Sequence, residues 1–403
     1  MGDFRVLHVT DYASAYEGAF IRQLRMLDEE VRARGARPSA ICLNARALAR
    51  PWARQLEEDG WELREVPPSS TRAERGAAAA IAATVRELRP HVVHVHFGTY
   101  DLAARKAIRR IRRELGAGAP KLVWHYRTAL EEPVTERGPL RRLKDWIKFT
   151  RGGRDVDMFV GVTRALGVEV AARGADLERS RGIVAGCDTD TFRRDMEVRR
   201  RVRADLGLED EDVLLLHMGW AWYRKGGDLL AEAMRSLELP TDGPRIVACS
   251  IGAPDDAVLG SVRRLPITDR VHEFHQASDI FISASRSEGF GNGLVESMAC
   301  EGVAVAAAAD GQLETFAGLT GVATVPVGSA KELATAIRML IERRAEWGPL
   351  GASNRRHVLE RHSMRRWARD MGDAYAELHP TWLPTAAENA ASLGSPNLGM
   401  EVA

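Results

Sequence analysis

The sequence feature that most constrains the fold is an alternation of short apolar runs, rich in β-branched residues, with longer amphipathic stretches. Buried parallel strands have this apolar character, and the helices that connect them need one apolar face. The first series of predicted strands lies at 4–9, 39–43, 92–96, 122–125 and 158–162, with helices at 19–34 and 77–88. The second lies at 213–216, 245–249, 279–283, 303–307 and 321–325. The alternation therefore predicts two Rossmann-like sheets in succession.

The length of the chain supports the same division. A chain of 403 residues exceeds what one ordinary hydrophobic core accommodates. A strand predicted at 183–185 runs into a turn and a highly charged stretch, which is typical of an interdomain linker. We therefore predict an α/β protein with an N-terminal domain at 1–182 and a C-terminal domain at 183–364. A last helix within 365–383 is expected to pack back on the N-terminal domain, before a flexible tail at 384–403.

The composition excludes several classes of protein. The 57 basic and 56 acidic residues give a formal charge of +1, which argues against a general nucleic-acid binder. The four cysteines are widely spaced, without a CxxC pair, so we expect reduced thiols in or near the core. The N-terminus lacks the layout of a signal peptide, and no run reaches membrane-spanning length, so we expect a cytoplasmic protein.

The segment 285–300, SRSEGFGNGLVESMAC, carries the densest chemical signal. It follows a predicted strand and opens an apolar helix, so its glycines lie where backbone N–H groups at a helix N-terminus can bind an anion. Glu288 and Glu296 flank this turn, and carboxylates would repel a bare phosphate. Their presence indicates that each binds hydroxyls, one set on a sugar and one on a ribose. The alternative is a glycine-rich turn with incidental glutamates.

This segment resembles the signature of the retaining GT-B glycosyltransferases often called family 4, in which two glutamates are separated by seven residues. The resemblance implies two Rossmann-like doubly wound domains that face each other across a cleft. It assigns Glu288 to the donor sugar and Glu296 to the nucleotide ribose. The donor-binding residues that it implies are Gly18, Arg224, Lys225, Glu288, Gly289, Phe290, Gly291, Asn292, Gly293, Leu294 and Glu296.

A second segment, 214–230, is similar to the strand, glycine turn and Lys-Gly helix start of the same family. Lys225, with Arg224, would stabilise the negative charge that grows on the departing diphosphate. The competing interpretation is a solvated basic pair in a loop. The chain departs from the family by having Trp220 where an arginine is usual, and it leaves open whether Arg224 supplies that charge. We also expect residues 260–262 to line the nucleobase.

The N-terminal half offers two further candidates. Gly18 stands at a helix start where the family has a Gly-Gly pair near the diphosphate, although a helix-opening glycine without a ligand would look the same. His125 ends a strand similar to the one that brings a histidine to the donor sugar, so it joins Lys225 and Glu288 as the implied catalytic residues. The alternative for His125 is a hydrogen-bonded structural imidazole.

Metal binding is not expected. His94 and His96 alternate on one strand and share a face, but the sequence shows no third ligand, and we expect His96 near the cleft. The Asp-x-Asp pairs at 155–157 and 188–190 are interpreted as structural. The family is metal-independent, so we predict no metal and no cofactor, with a nucleotide diphosphate sugar as co-substrate.

The segment 137–154 contains seven basic residues and one acid among Leu140, Leu143, Trp146, Ile147 and Phe149. The apolar positions approach helical spacing, which indicates a basic amphipathic helix. Such a helix can lie on the inner face of an anionic membrane or bind an acidic acceptor. The alternative is a surface helix that packs its tryptophan and leucines into the core.

Together these patterns predict a retaining hexosyltransferase that moves a sugar from a nucleotide diphosphate sugar, UDP-sugar favoured, to a hydroxyl or amine in secondary-metabolite or cell-surface glycan synthesis. The resemblance implies that the departing phosphate helps to deprotonate the acceptor. A nucleotide-sugar epimerase and a non-catalytic nucleotide-sugar-binding protein are the alternatives. A dinucleotide-dependent oxidoreductase is disfavoured because no G-x-G-x-x-G follows the first strand. The acceptor, the sugar, the base and the oligomeric state are not specified by the sequence.

Overall fold

A computed structural model describes residues 3–69, 74–128, 130, 138–237 and 243–382. The predicted tail at 384–403 and Arg137 lie outside the described residues. Within the described ranges, no helix is both long and apolar enough to cross a membrane.

The N-terminal half forms a sheet of seven parallel strands in the order β3-β2-β1-β4-β5-β6-β7. The strands are β1 Val6–Val9, β2 Ala40–Leu43, β3 Glu62–Glu65, β4 Val92–His96, β5 Lys121–Tyr126, β6 Met158–Gly161 and β7 Ser180–Gly182. All five predicted strands are present. The two that were missed, β3 and β7, are edge strands without an apolar run. The strand predicted at 183–185 directly follows β7, and Ile183 N and Ala185 N still donate to Gly161 O and Val162 O, although β7 itself ends at Gly182.

The helices of this half cover both faces of the sheet. They are α1 Gly18–Ala33, α2 Ala45–Leu48, α3 Pro51–Glu58, α4 Glu74–Leu88, α5 Asp101–Leu115, α6 Pro139–Trp146 and α7 Arg164–Ala172. Helix α1 buries Leu24, Leu27 and Val31 at the spacing of one helical face. Its first residue, Gly18, borders the space between the two halves of the chain.

The C-terminal half forms a second parallel sheet in the order β10-β9-β8-β11-β12-β13. Its strands are β8 Val213–Met218, β9 Ile246–Ile251, β10 Arg263–Leu265, β11 Ile280–Ser283, β12 Val303–Ala307 and β13 Val322–Val325. The helices are α8 Met196–Asp205, α9 Gly227–Ser236, α10 Val271–Ala277, α11 Asn292–Ala299, α12 Leu313–Phe316, α13 Ala330–Glu342, α14 Trp347–Arg361 and α15 Met364–Leu378. Both sheets have the strand order of a doubly wound fold, which confirms the predicted α/β class.

The chain crosses between the two halves twice, and the crossings are hydrogen-bonded to each other. Cys187 N donates to His362 O at 2.7 Å, and Met364 N donates to Cys187 O at 2.8 Å. Gly186 lies so close to Ser363 that an added Cβ would stand 2.5 Å from its carbonyl oxygen. Beyond this contact, α15 packs against α1 of the first half. The double crossing therefore ties the two sheets together at one point.

The four cysteines, Cys42, Cys187, Cys249 and Cys300, are buried and unpaired, as expected. Burial raises the pKa of Cys42 to about 12 and that of Cys249 to about 11, so both remain neutral thiols. The Asp-x-Asp pairs make structural contacts. Asp157 accepts from Leu122 N at 2.7 Å, and Asp188 accepts from the amides of its own turn at 3.2 Å.

The basic segment begins with α6 and continues through one π-helical turn. The alternative that the tryptophan and leucines of this segment pack into the core is wrong, and Ile147 is exposed as well. Their exposed fractions are 75% for Leu140, 51% for Leu143, 50% for Trp146 and 42% for Ile147. Only Phe149 is buried, because the π-turn brings it over the sheet beside Tyr126 and Phe159.

Four histidines form a buried network on one face of the first sheet. His96 Nε2 and His8 Nδ1 are 3.1 Å apart, and His94 Nε2 and His125 Nδ1 are 3.0 Å apart. The statement that no third ligand accompanies His94 and His96 was wrong. His8 stands on the neighbouring strand β1, in register with His94, and the ligand atoms of these three lie within 4.8 Å of one another.

Hydrogen bonds join the four imidazoles in pairs, and the positive charge of Arg127 beside them disfavours binding of a metal cation. Arg127 Nε donates to His96 Nδ1 at 3.2 Å, so the neutral His96 carries its proton on Nε2 and donates it to His8. The guanidinium charge also lowers the pKa of all four imidazoles, after burial itself. A metal ion here would meet a fixed positive charge.

The contact at Gly186 generates a stability prediction. Gly186→Ala should lower the free energy of unfolding by about 1–3 kcal/mol, because the new Cβ meets the backbone of Ser363 and Met364. Gly348→Ala is the matched control, since Gly348 lies in α14 with no atom within 4 Å of its added Cβ, and it should be neutral or slightly stabilising. Equal thermal denaturation midpoints for the two variants would contradict this role of the crossing.

The histidine network generates a pH prediction. Burial lowers the pKa of His8 to about 3, and those of His94, His96 and His125 fall well below the ordinary value. The unfolded chain therefore binds more protons below about pH 6.5, and stability should fall as the pH drops from there towards about 3.

Urea unfolding between about pH 5 and pH 8 measures this slope. His8→Asn keeps an oxygen that accepts from His96 Nε2 but removes one titrating group. Its slope should be shallower by about 1.4 kcal/mol per pH unit towards the acid end. An unchanged slope would show that His8 is not held neutral in the folded protein.

Candidate active site

A cavity of about 410 Å³ lies between the two halves of the chain. Its walls come from the segments that follow β1 and β5 in the first sheet and β8 and β11 in the second. Strands β8 and β11 are adjacent in the second sheet, where the strand order changes direction. Doubly wound sheets bind ligands at the carboxyl ends of strands beside such a switch point. The topology therefore places the candidate site here.

The predicted pair of Lys225 and Glu288 meets on the cavity wall. Lys225 Nζ forms an ion pair with Glu288 Oε1, and the same oxygen accepts a hydrogen bond from Ser285 Oγ at 2.9 Å. Glu288 is only 7% exposed. A carboxylate that is paired and hydrogen-bonded in this way is fixed in orientation.

The position of Lys225 depends on its neighbours in the turn. Gly226 adopts a left-handed conformation with φ of 71°, and a Cβ there would lie 2.0 Å from Ala284 O. The turn after β8 can therefore pack directly on the end of β11. His217 of β8 binds Lys225 O at 3.0 Å through Nε2 and Ser250 Oγ at 2.9 Å through Nδ1. His217 also lines the cavity, and the sequence analysis gave it no role.

The glycine turn between β11 and α11 has the geometry expected of an anion site. Gly291 is the N-cap of α11 with φ of 81°, a conformation that favours glycine. Gly293 allows the helix to pack on Phe281, because a Cβ would lie 2.8 Å from the Phe281 ring. The first amides of a helix have no acceptor within it, so this turn offers N–H donors to the cavity.

Not every residue of the signature faces the cavity. Gly289, Phe290, Gly291, Asn292 and Gly293 line it, whereas the side chain of Leu294 is buried in the core and makes no part of the wall. Leu294 therefore acts through packing of α11. Glu296 lines the cavity one helical turn further along, with Oε2 3.5 Å from His275 Nε2.

Trp220, which replaces the usual arginine, lies against the two cations of the turn. The Arg224 guanidinium is 4.9 Å and Lys225 Nζ is 5.2 Å from its ring centroid. Arg224 also donates from Nη1 to Ser287 O at 3.2 Å. All three side chains line the cavity, so Arg224 stands where a second positive charge can act on a diphosphate.

The opposite wall belongs to the first half of the chain. Gly18, with φ of 62°, and Arg22 come from the start of α1, while Arg127 and Thr128 follow β5. His125 does not reach this wall. It lies beneath Arg127 in the buried network, and burial and the Arg127 charge lower its pKa. His96, expected near the cleft, is likewise fully buried below the cavity.

The edge of the cavity beyond Glu296 differs from the sequence expectation. Residues 260–262 do not line the cavity, and Val262 is buried in the core of the second half. Ile267, Thr268, Asp269 and Val271 line it instead, between β10 and α10. Sequence spacing could not distinguish these neighbouring segments, because β10 was missed and the length of the loop was therefore wrong.

Known glycosyltransferases resemble this chain in sequence. Residues 198–357 match the family model described as Glycosyl transferases group 1. The putative glycosyltransferase EpsD of Bacillus subtilis (strain 168) is 23% identical over 300 residues, which cover 71% of this chain and 76% of EpsD. D-inositol 3-phosphate glycosyltransferase 1 of Catenulispora acidiphila is 31% identical over 212 residues, which cover 47% of this chain and 50% of that protein.

Among solved structures, Anabaena Alr3699/HepE in complex with UDP superposes with a TM-score of 0.74 at 17% identity, covering 93% of this chain and 100% of that chain. The likeness confirms the GT-B fold, with two Rossmann-like domains that face each other across a cleft. The family match lies within the second half of this chain, and together with the fold it supports a glycosyltransferase of the GT-B fold.

Proposed function

We propose that the protein is a retaining glycosyltransferase that moves a hexose-type sugar from a nucleotide diphosphate sugar to a hydroxyl or amine acceptor. The observation that carries the proposal is the Lys225–Glu288 ion pair, which stands beside a glycine turn on the wall of a cleft between two Rossmann-like domains. Glu288 accepts hydrogen bonds from the sugar hydroxyls, and Glu296 from the ribose. The two carboxylates are therefore residues that bind hydroxyls.

Charge stabilisation explains how this site favours departure of the nucleotide. Negative charge grows on the diphosphate as the sugar leaves. Lys225, Arg224 and the first amides of α11 are preorganised around the position where it develops. The pairing with Glu288 holds Lys225 in place before the donor binds. No protein base is required, because the departing phosphate itself accepts the proton of the acceptor. No protein nucleophile is required either, because the acceptor oxygen or nitrogen bonds to the anomeric carbon on the face from which the diphosphate leaves.

We favour a UDP-sugar as donor. The structures of HepE that superpose on this chain include complexes with UDP and with UDP-glucose. The wall at Ile267–Val271 would then accommodate the uracil base. We also propose that the reaction needs no metal, since the cations Lys225 and Arg224 provide the charge that a divalent ion would otherwise supply.

A nucleotide-sugar epimerase is distinguished by its product, an isomerised nucleotide sugar formed without acceptor. A non-catalytic binding protein would bind the donor without turnover. The ion pair of Lys225 with Glu288 at the cleft favours a transferase over a non-catalytic binding protein, because it supports departure of the nucleotide.

We further propose that the protein works at the inner face of a membrane. Leu140, Leu143 and Trp146 are exposed along α6, which also carries Arg141, Arg142 and Lys144. A helix with exposed apolar side chains among basic ones suits the interface of an anionic bilayer. A cell-surface glycan precursor held in that bilayer is the acceptor class that fits this location, and a secondary metabolite is the alternative.

The two glutamates generate a binding prediction. Glu288→Ala should weaken binding of a UDP-sugar by about tenfold more than binding of UDP, because the sugar loses its carboxylate, whereas UDP loses only the support that Glu288 gives to Lys225. Glu296→Ala should weaken UDP and UDP-sugar alike, because it removes the contact with the ribose. Calorimetry with UDP and a panel of UDP-sugars measures both, preceded by a thermal-shift screen for the donor.

Glu332→Ala is the control, since Glu332 is exposed in the first turn of α13, away from the cavity. Glu288→Ala should also abolish transfer, whereas a chelator should leave wild-type turnover unchanged. Unchanged turnover in Glu288→Ala would refute its role, and loss of turnover with the chelator would refute the metal-free reaction. The absence of any UDP-sugar binding would refute the proposed function.

The exposed helix generates a vesicle-binding prediction. The wild-type protein should co-sediment at low salt with vesicles that contain an anionic phospholipid, and Leu140→Glu with Leu143→Glu should reduce this by about tenfold. Leu177→Glu with Val258→Glu is the matched control, because these residues are 70% and 75% exposed but lie outside α6. Failure of the wild type to bind at low salt would contradict the membrane proposal.

A further inference from the structure

Arg127 is a half-buried arginine at the cavity wall that the proposed donor site does not use, and its Nη2 atom is buried. It follows β5 and lies on the side of the cleft formed by the first domain. Its Nε donates to His96 Nδ1 at 3.2 Å, and its Nη1 donates to Gln23 Oε1. The guanidinium also lies 4.8 Å from the Phe20 ring centroid and 5.1 Å from that of Trp367.

None of these neighbours is negatively charged. In the part of the chain that the structure describes, no carboxylate pairs with Arg127, and its Nη2 has no hydrogen-bond partner. Among the described residues, the fully buried arginines Arg173 and Arg203 both pair with carboxylates. Arg203, for example, lies 3.1 Å from the carboxylate of Asp279. A buried charge without a counter-ion is costly, so its retention at a cavity wall indicates a ligand that supplies the charge.

We propose that Arg127 binds an anionic group, a phosphate or a carboxylate, carried by the acceptor. This inference rests on the proposed transferase function and deepens it by naming the acceptor class. The free edge of a guanidinium, with parallel N–H donors, matches the oxygens of such a group. The donor diphosphate has Lys225, Arg224 and the α11 turn on the opposite wall, so Arg127 lies on the side where the acceptor enters.

The surroundings of Arg127 fix its direction and keep its charge. Burial lowers its pKa to about 9, so it remains protonated at neutral pH. The neutral imidazole of His96 accepts from Nε without cancelling the charge. Gln23 accepts a hydrogen bond from Arg127 Nη1 through Oε1 and donates one from Nε2 to Gly186 O at 2.9 Å. The guanidinium is therefore anchored to the crossing between the domains. The histidine network is thus a neutral support for a cationic side chain.

The test measures inorganic phosphate binding to protein that is first saturated with UDP, so that the donor diphosphate site is occupied. Calorimetry on the wild type should detect phosphate, and Arg127→Gln should weaken its binding by about tenfold or more. UDP binding itself should stay within about twofold in the same variant. Arg32→Gln is the matched control, since Arg32 is a surface arginine of α1 outside the cavity. This variant should bind phosphate and UDP with the affinities of the wild type.

Arg127→Lys serves as a second variant if Arg127→Gln does not fold, and it should bind phosphate with intermediate affinity. Once an acceptor is found, Arg127→Gln should raise its KM far more than that of an uncharged analogue. Equal phosphate affinity in wild type and Arg127→Gln would overturn the proposal. A tenfold loss of UDP affinity would also overturn it, because Arg127 would then serve the donor. A protein that binds no UDP refutes the proposed function, while the phosphate comparison still tests Arg127.

Discussion

The contact between the two chain crossings is the constraint on which the rest of the structure depends. Two parallel sheets that were joined by one flexible linker could face each other in many ways. Here Cys187 is hydrogen-bonded to both His362 and Met364. Gly186 has no side chain, so the two crossing segments can approach each other closely. Helix α15 then returns to α1 of the first domain. The carboxyl ends of both sheets consequently open on one cavity.

Charges are distributed unequally over the two walls of that cavity. On the second domain, each cation has an anionic or carbonyl partner, as in the pairing of Lys225 with Glu288 and the contact of Arg224 with Ser287 O. In the proposed reaction, a donor diphosphate would replace these contacts with its own. On the first domain, Arg127 is supported by neutral imidazoles and aromatic rings. The two walls thus suit two different anions, and this asymmetry follows from which side chains surround each cation.

The first domain also carries an exposed amphipathic helix outside the cleft. Helix α6 presents apolar and basic side chains on the first domain, which also carries Arg127. An acceptor held at a membrane would reach the cleft from that domain. The burial of Phe149 through the π-turn anchors the exposed helix to the sheet, so its apolar side chains are held in place at the surface.

The sequence by itself determined the features that depend on local periodicity and short spacing. These are ten of the strands and the α/β class. The proximity of Lys225, Glu288 and the glycine turn was implied by the family resemblance, and the structure brings them together because β8 and β11 are neighbours in the sheet. Polar edge strands β3, β7 and β10 were missed because they carry no apolar run. Only the tertiary structure decided that His8 completes a histidine network, that His125 lies beneath Arg127, and that α6 exposes its apolar face. Each of these depends on which distant side chains pack beside a residue, and a one-dimensional pattern contains no information on such neighbours.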